Sequence, residues 1–329
     1  MVIKQVKFST EIQVTDIANV VSKNYSNSIT GFLELQRGWL FRAYSVFKDL
    51  DKYLILMSLV SRTFKSYSEY FIKYDYDQFF SINQYELKKF NIVNIAKELS
   101  ISKETARRKI LELEKNGLII KNKKAIHMQK LAYNIKKPED SIEAISKFMS
   151  NLSKLFKKNN IVINEISTKD FTLLIKKNFT QCWNYFLIFQ ISYLTEFKKK
   201  FFGDYETLSV WTIIAYNQNL FLNKKLNNEV KNIENIKDKY LDELFSLTGS
   251  LGLNAMTISD LTGIPRPTVV RKLNKLMKTK WIARDKNGLY HLLASETNLK
   301  ELNKVRLNNI NRISEMVSKF FNAARIYNV

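Results

Sequence analysis

The stretch Asn94–Met128, NIAKELSISKETARRKILELEKNGLIIKNKKAIHM, decides how the rest of the chain is read. Asn94 suits an N-cap, where a side-chain oxygen accepts a hydrogen bond from a free first-turn amide, so a short helix is expected over Ile95–Leu99. Ser102 suits the same role for a second helix running to Asn116, and Gly117 is the expected left-handed stop. Ala106, Ile110 and Leu113 recur at helical spacing and share one face of that helix. Glu104, Arg108 and Lys115 lie opposite, with Lys103 and Arg107 on the flank. A strand-like Leu118–Ile120, a basic turn Asn122-Lys123-Lys124 and a returning Ala125–Met128 follow. Helix, turn, helix and basic hairpin form the plan of a winged helix, whose second helix lies in the DNA major groove.

The plan occurs twice. Thr257–Leu292 reads TISDLTGIPRPTVVRKLNKLMKTKWIARDKNGLYHL. Ile101 corresponds to Ile264, Thr105 to Thr268, Arg108-Lys109 to Arg271-Lys272 and Leu113 to Leu276, each 163 residues on (264 minus 101). In the hairpin the separation becomes 164 (291 minus 127), which aligns His127 with His291, the 2 histidines of the chain. A gapless offset through both helices marks an internal repeat. The expected fold is therefore mostly α, with tandem winged helix-turn-helix units, flanking long helices and small β-hairpin wings. Residues 1–136 would hold an N-terminal helical region and the first unit, at about 91–128. Residues 137–329 would hold long helices, the second unit at about 254–293 and a C-terminal helix. The boundary falls at Lys136-Lys137-Pro138-Glu139-Asp140, where proline suits a helix start and the charges suit solvent.

Elsewhere the pattern is helical. Thr10 and Gln13 have capping-box spacing for a helix to Lys23, and the polar Asn24–Thr30 reads as a loop. Phe32–Phe71 is helical with a break near Asp49–Asp51, and a turn at Tyr74–Asp77 leads into a short helix ending near Phe90. Ile142, Ile145, Met149, Leu152 and Phe156 mark one face of the helix after Pro138. Ser167 and Asp170 open a long helix that reaches Phe202 and stops at Gly203. Helices over Glu206–Leu222 and Leu226–Phe245, the loop Thr248–Gly252 and a terminal helix capped by Ser295 complete the chain. The aromatic run from Phe171 to Phe197 reads as helix–helix core, with Cys182 a buried, inert thiol inside it.

The 53 basic and 31 acidic residues leave a formal charge of +22, which points to a polyanionic partner, nucleic acid ahead of an anionic membrane surface. One cysteine excludes an intramolecular disulfide and a cysteine-based zinc site, and suits a reducing cytoplasm. Met1–Gln13 has no apolar core of signal-peptide length. Phe186–Leu194 is interrupted by Gln190 and Ser192 and too soon charged to span a bilayer. A cytoplasmic, nucleoid-associated location is expected. No phosphate-binding glycine loop, metal-carboxylate cluster or nucleophile–histidine–acid set is present, so no enzyme activity, cofactor or metal is expected.

Ile258-Ser259-Asp260-Leu261-Thr262-Gly263-Ile264-Pro265-Arg266-Pro267-Thr268-Val269 resembles the helix-turn-helix of the MarR-type transcriptional regulators. The helix through Leu208-Ser209-Val210-Trp211 and the trailing helix are similar to that family's arrangement, from about residue 205 to 325 and more weakly from 50 to 156. The segment Asn223–Ser250 is longer than the family pattern, and the wing Asp285-Lys286-Asn287-Gly288 lacks its Asp-x-Arg. The resemblance implies a dimeric winged-helix repressor or activator with flanking helices at the dimer interface.

The expected activity is therefore sequence-specific binding of double-stranded DNA in transcription regulation. Candidate contacts are Lys103, Glu104, Thr105, Arg107 and Arg108 on the first recognition helix, and Arg266, Pro267, Thr268, Val270 and Arg271 on the second. The wings add Lys123, Lys124 and Lys286. Basic side chains neutralise phosphates while the helices read base edges. Arg107 aligns with Val270 and Lys103-Glu104 with Arg266-Pro267, so two unequal half-sites are expected. The copies would pack as an intramolecular pseudo-dimer, or two chains would pair through an Ile310–Ala324 seam. No residue pattern supports a small-molecule effector. The alternatives are a plasmid- or phage-type replication initiator with tandem winged helices, and a winged-helix scaffold that binds protein.

Overall fold

The computed structural model describes residues 11–122, 125–134, 137–228, 240–247 and 252–327, and they are mostly helical. The first half begins with α1 (Val14–Lys23), α2 (Tyr25–Phe47), α3 (Leu50–Glu69) and α4 (Tyr76–Ser81). Strand β1 (Gln84–Leu87), α5 (Ile92–Glu98), α6 (Lys103–Lys115), β2 (Ile119–Lys121), β3 (Ile126–Gln129), α7 (Lys130–Asn134) and α8 (Glu139–Lys158) follow. The second half has α9 (Thr168–Lys177), α10 (Phe179–Phe197) with a π-helical extension over Lys198–Phe202, α11 (Tyr205–Asn228) and α12 (Tyr240–Ser246). It closes with α13 (Ala255–Thr262), α14 (Arg266–Lys278), β4 (Ile282–Arg284), β5 (Tyr290–Leu292) and α15 (Glu296–Ile326).

Several boundaries differ from the sequence expectation. Tyr25–Thr30 is helix: α1 ends at Lys23 and is capped by Asn24, whose backbone amide and side chain both donate to the Val20 carbonyl, and α2 begins at the next residue. The polar residues there are accommodated by a facing helix, since Ser26 donates to Asn223 and Thr30 accepts from it. The long helix expected after Ser167 is interrupted in the same manner at Asn178, which donates twice to Leu174. The stretch before Phe90 is strand β1, with Tyr85 and Leu87 alternating inward, and it pairs antiparallel with β3. Helix α5 starts earlier than expected because Asn91, not Asn94, caps it, accepting from the Val93 amide at 2.8 Å. Ser102, Ser167 and Ser295 cap as expected. Lys136 lies outside the described residues, and α8 starts directly after Pro138.

The repeat extends well beyond the helix–turn–helix units. Helices α1 and α9, and α2 and α10, begin 154 residues apart (168 minus 14, 179 minus 25). For α3 and α11 the separation is 155 (205 minus 50), for α6 and α14 it is 163 (266 minus 103), and for α8 and α15 it is 157 (296 minus 139). Packing is reciprocal across the halves: α2 lies on α11 as α10 lies on α3, and α1 lies on α15 as α9 lies on α8. Where equivalent helices α2 and α10 meet, buried Gln36 and Gln190 donate to each other at 2.9 and 2.6 Å. Around them one connected apolar core runs through both halves, and the aromatic run of α10 is part of it. Cys182 is fully enclosed there, and burial pushes its thiol up to about 12.

Candidate nucleic-acid interface

Both units are built by the same local rules. Asn91 and Asn254, 163 apart (254 minus 91), cap the first helix of each. The next helix buries Ala106, Ile110 and Leu113 in one copy and Val269, Leu273 and Leu276 in the other. The hairpins share a register, with Ile120 opposite His127 and Ala283 opposite His291. In the first unit β1 completes a sheet of order β1-β3-β2, and in the second a single bridge from Leu253 to Tyr290 takes the place of β1.

The repeated Arg-Lys pair divides its work. Lys109 turns inward to the Asp49 carboxylate, and Lys272 to Asp204 at 2.7 Å. Asp49 and Asp204 are equivalent, 155 apart (204 minus 49), and each accepts an amide in the first turn of the following long helix. Burial alone would depress the Lys109 ammonium, but Asp49 and Glu112 raise it above its ordinary value. Burial likewise works against Asp204, yet Lys272, Lys275 and Thr207 outweigh it and hold the carboxyl well below the usual carboxylate range. Each second helix is thus pinned by charge to the helix packed behind it.

The arginines turn outward. Arg108 and Arg271 are exposed, and neither forms a hydrogen bond or ion pair with another described residue. Lys103, Glu104, Arg107, Arg266, Pro267 and Val270 are also exposed, while Thr105 and Thr268 are half-buried. Arg107 differs in being held: Glu104 accepts its Nε at 3.1 Å and Nη2 at 2.9 Å. That clasp lowers the Glu104 carboxyl and raises the Arg107 guanidinium from their ordinary values.

In the second hairpin Lys286 is exposed, in a turn organised by Asp285, whose carboxylate accepts the Asn287 and Leu289 amides at 2.9 Å. Gly288 takes the positive φ of 80° that the turn requires. Lys123 and Lys124 lie outside the described residues. Arg284, which is not among the residues expected from the sequence, lies on the second hairpin. It is exposed, its Nε donates to the Gly288 carbonyl at 3.2 Å, and its guanidinium lies over the Tyr290 ring. The legible signal was that Lys121, its partner at the repeat offset of 163 (284 minus 121), is also basic. Arg284, Arg266, Val270 and the start of α13 line an open cleft between wing and helix.

The chain matches no family model, no curated protein and no solved structure. Among the described residues no helix is long and apolar enough to cross a membrane.

Proposed function

We propose that the chain is a double-stranded-DNA-binding transcriptional regulator in which α5–β3 and α13–β5 act as two winged helices. The observation that carries this reading is the matched pair Arg108 and Arg271, exposed and unpaired among the described residues, at equivalent points of two helices with the same packing. An ordinary solvated basic face would not need its neighbouring lysine turned inward, in both copies, to fix the helix. The charge of +22 supplies the non-specific attraction, and the two helices supply base contacts. Reciprocal packing of the halves supports an internal pseudo-dimer that presents both helices from one chain. A cytoplasmic, nucleoid-associated location belongs to the same reading.

Duplex affinity is expected to fall steeply with salt, by roughly a thousandfold between 50 and 200 mM for several phosphate contacts. Arg108→Ala and Arg271→Ala are each expected to cost about 1–3 kcal/mol and to relax base preference at one position. Fluorescence anisotropy on duplexes selected from random sequence measures both effects. Salt-independent binding, or none at low salt, would refute the proposal.

A further inference from the structure

The two units differ in one place that the proposed function does not use. In the second, an open cleft lies between the wing, the start of α14 and the start of α13. Arg266 stands on one wall and Arg284 on the other, Met256 and Val270 expose apolar surface between them, and no carboxylate of the described residues lines it. A concave surface carrying two guanidiniums and no acid focuses positive potential. Arg284 is already ordered, because its Nε is spent on the Gly288 carbonyl and its plane rests on Tyr290. Its two terminal nitrogens therefore remain for a planar, bidentate acceptor, at little further cost in side-chain entropy.

The described residues of the first unit match this only in part: Val93 exposes apolar surface where Met256 does, but the basic positions differ. At the offset of 163, Lys103 stands for Arg266 (266 minus 103), Lys121 for Arg284 and Arg107 for Val270. Arg107 is closed on Glu104, which sets a carboxylate among these cations. Lysines there are point charges, and the carboxylate repels an anion.

We infer that the cleft of the second unit seats a backbone phosphodiester between Arg266 and Arg284, with Met256 and Val270 against the adjoining sugar, and that the chain is anchored on DNA through this unit. The inference rests on the proposed DNA binding. A free phosphate would use the same donors, so the test separates the two sources.

The test uses the full chain and several unrelated duplexes, with anisotropy read across a KCl series. Arg266→Ala and Arg284→Ala are each expected to weaken every duplex alike and to reduce the log–log salt slope by about one. Lys103→Ala and Lys121→Ala are expected to change the slope by clearly less. The Arg266 side chain forms no hydrogen bond or ion pair with another described residue and lies outside the hairpin, so a misfolded hairpin cannot imitate the effect of Arg266→Ala. Unchanged slopes in a chain that binds duplex would overturn the seat alone, as would losses confined to one sequence or equal losses in the first unit. Inorganic phosphate binding that Arg266→Ala abolishes, but that displaces no duplex at matched ionic strength, would assign the cleft to the free anion and overturn it too. Absence of duplex binding by the unmodified chain would instead reject the function on which the inference rests.

Discussion

Lys48 and Gly203, Ser100 and Gly263, and Lys280 and Gly117 occupy equivalent left-handed turns, with φ of 51 and 75°, 50 and 70°, and 56 and 67°. Each pair has a glycine in one half and a side chain in the other. A Cβ in this region crowds the following carbonyl oxygen and costs about 1–2 kcal/mol, partly offset because glycine loses more entropy on folding. Lys280→Gly, at an exposed helix end, is therefore expected to stabilise the protein by about 0.5 kcal/mol. Gly263→Ala should do the opposite and lose more, since the added Cβ would also lie 3.3 Å from the Phe41 ring. The urea midpoint at constant slope measures both changes. A loss on Lys280→Gly would mean that the turn is relaxed around the lysine.

At the scale of elements, each outward-facing helix is oriented by its own inward lysine, paired with an aspartate at the start of a long helix, and this geometry has a pH signature. Asp204 titrates well below an ordinary aspartate because Lys272, Lys275 and Thr207 overcome the cost of its burial. A depressed folded value means that the contribution is fully present above the unfolded value of about 4 and is lost as pH falls from there toward the folded one. Asp204→Asn is expected to cost about 2 kcal/mol at neutral pH, less than for a fully enclosed pair because the side chain keeps 28% exposure. The deficit should shrink toward zero in acid. Denaturant titrations of both proteins between pH 7 and pH 2 would check this, and a deficit independent of pH would show that Asp204 acts through packing alone.

Across the whole molecule, helices of one half complete the core of the other, so a single cooperative unfolding transition is expected. Gln36 and Gln190 sit where equivalent helices cross, each amide satisfied by its counterpart. Gln36→Leu alone would leave Gln190 buried without its partner and should cost about 1–3 kcal/mol. Adding Gln190→Leu should recover most of that, since two apolar groups leave nothing unsatisfied. Unfolding free energies of the two single variants and the double variant give the coupling directly, and additive losses would contradict it. Light scattering should find one chain per particle, because the surfaces that a dimer of half-chains would share are already covered within the chain.

The sequence by itself determined the elements whose information is local. Ser102 and Ser295 are caps because their hydroxyls reach an amide three residues on, and the spacing of Ala106, Ile110 and Leu113 names a buried face without any partner being known. The offset of 163 was legible because both units keep the same residue types at the same steps. Other features depended on distant partners. Asn24–Thr30 is polar and locally loop-like, and from Tyr25 becomes helix because Asn223, 197 residues from Ser26, accepts from Ser26 and donates to Thr30. β1 is four residues long, and its partner in the sheet is β3, more than thirty residues on in the chain. Helical spacing already sets Arg108 opposite Ala106 and Ile110, and Arg271 opposite Val269 and Leu273, but nothing local names the partners of Lys109 and Lys272. Those partners are Asp49 and Asp204, carboxylates at the starts of other helices whose place beside the lysine exists only once the chain has folded.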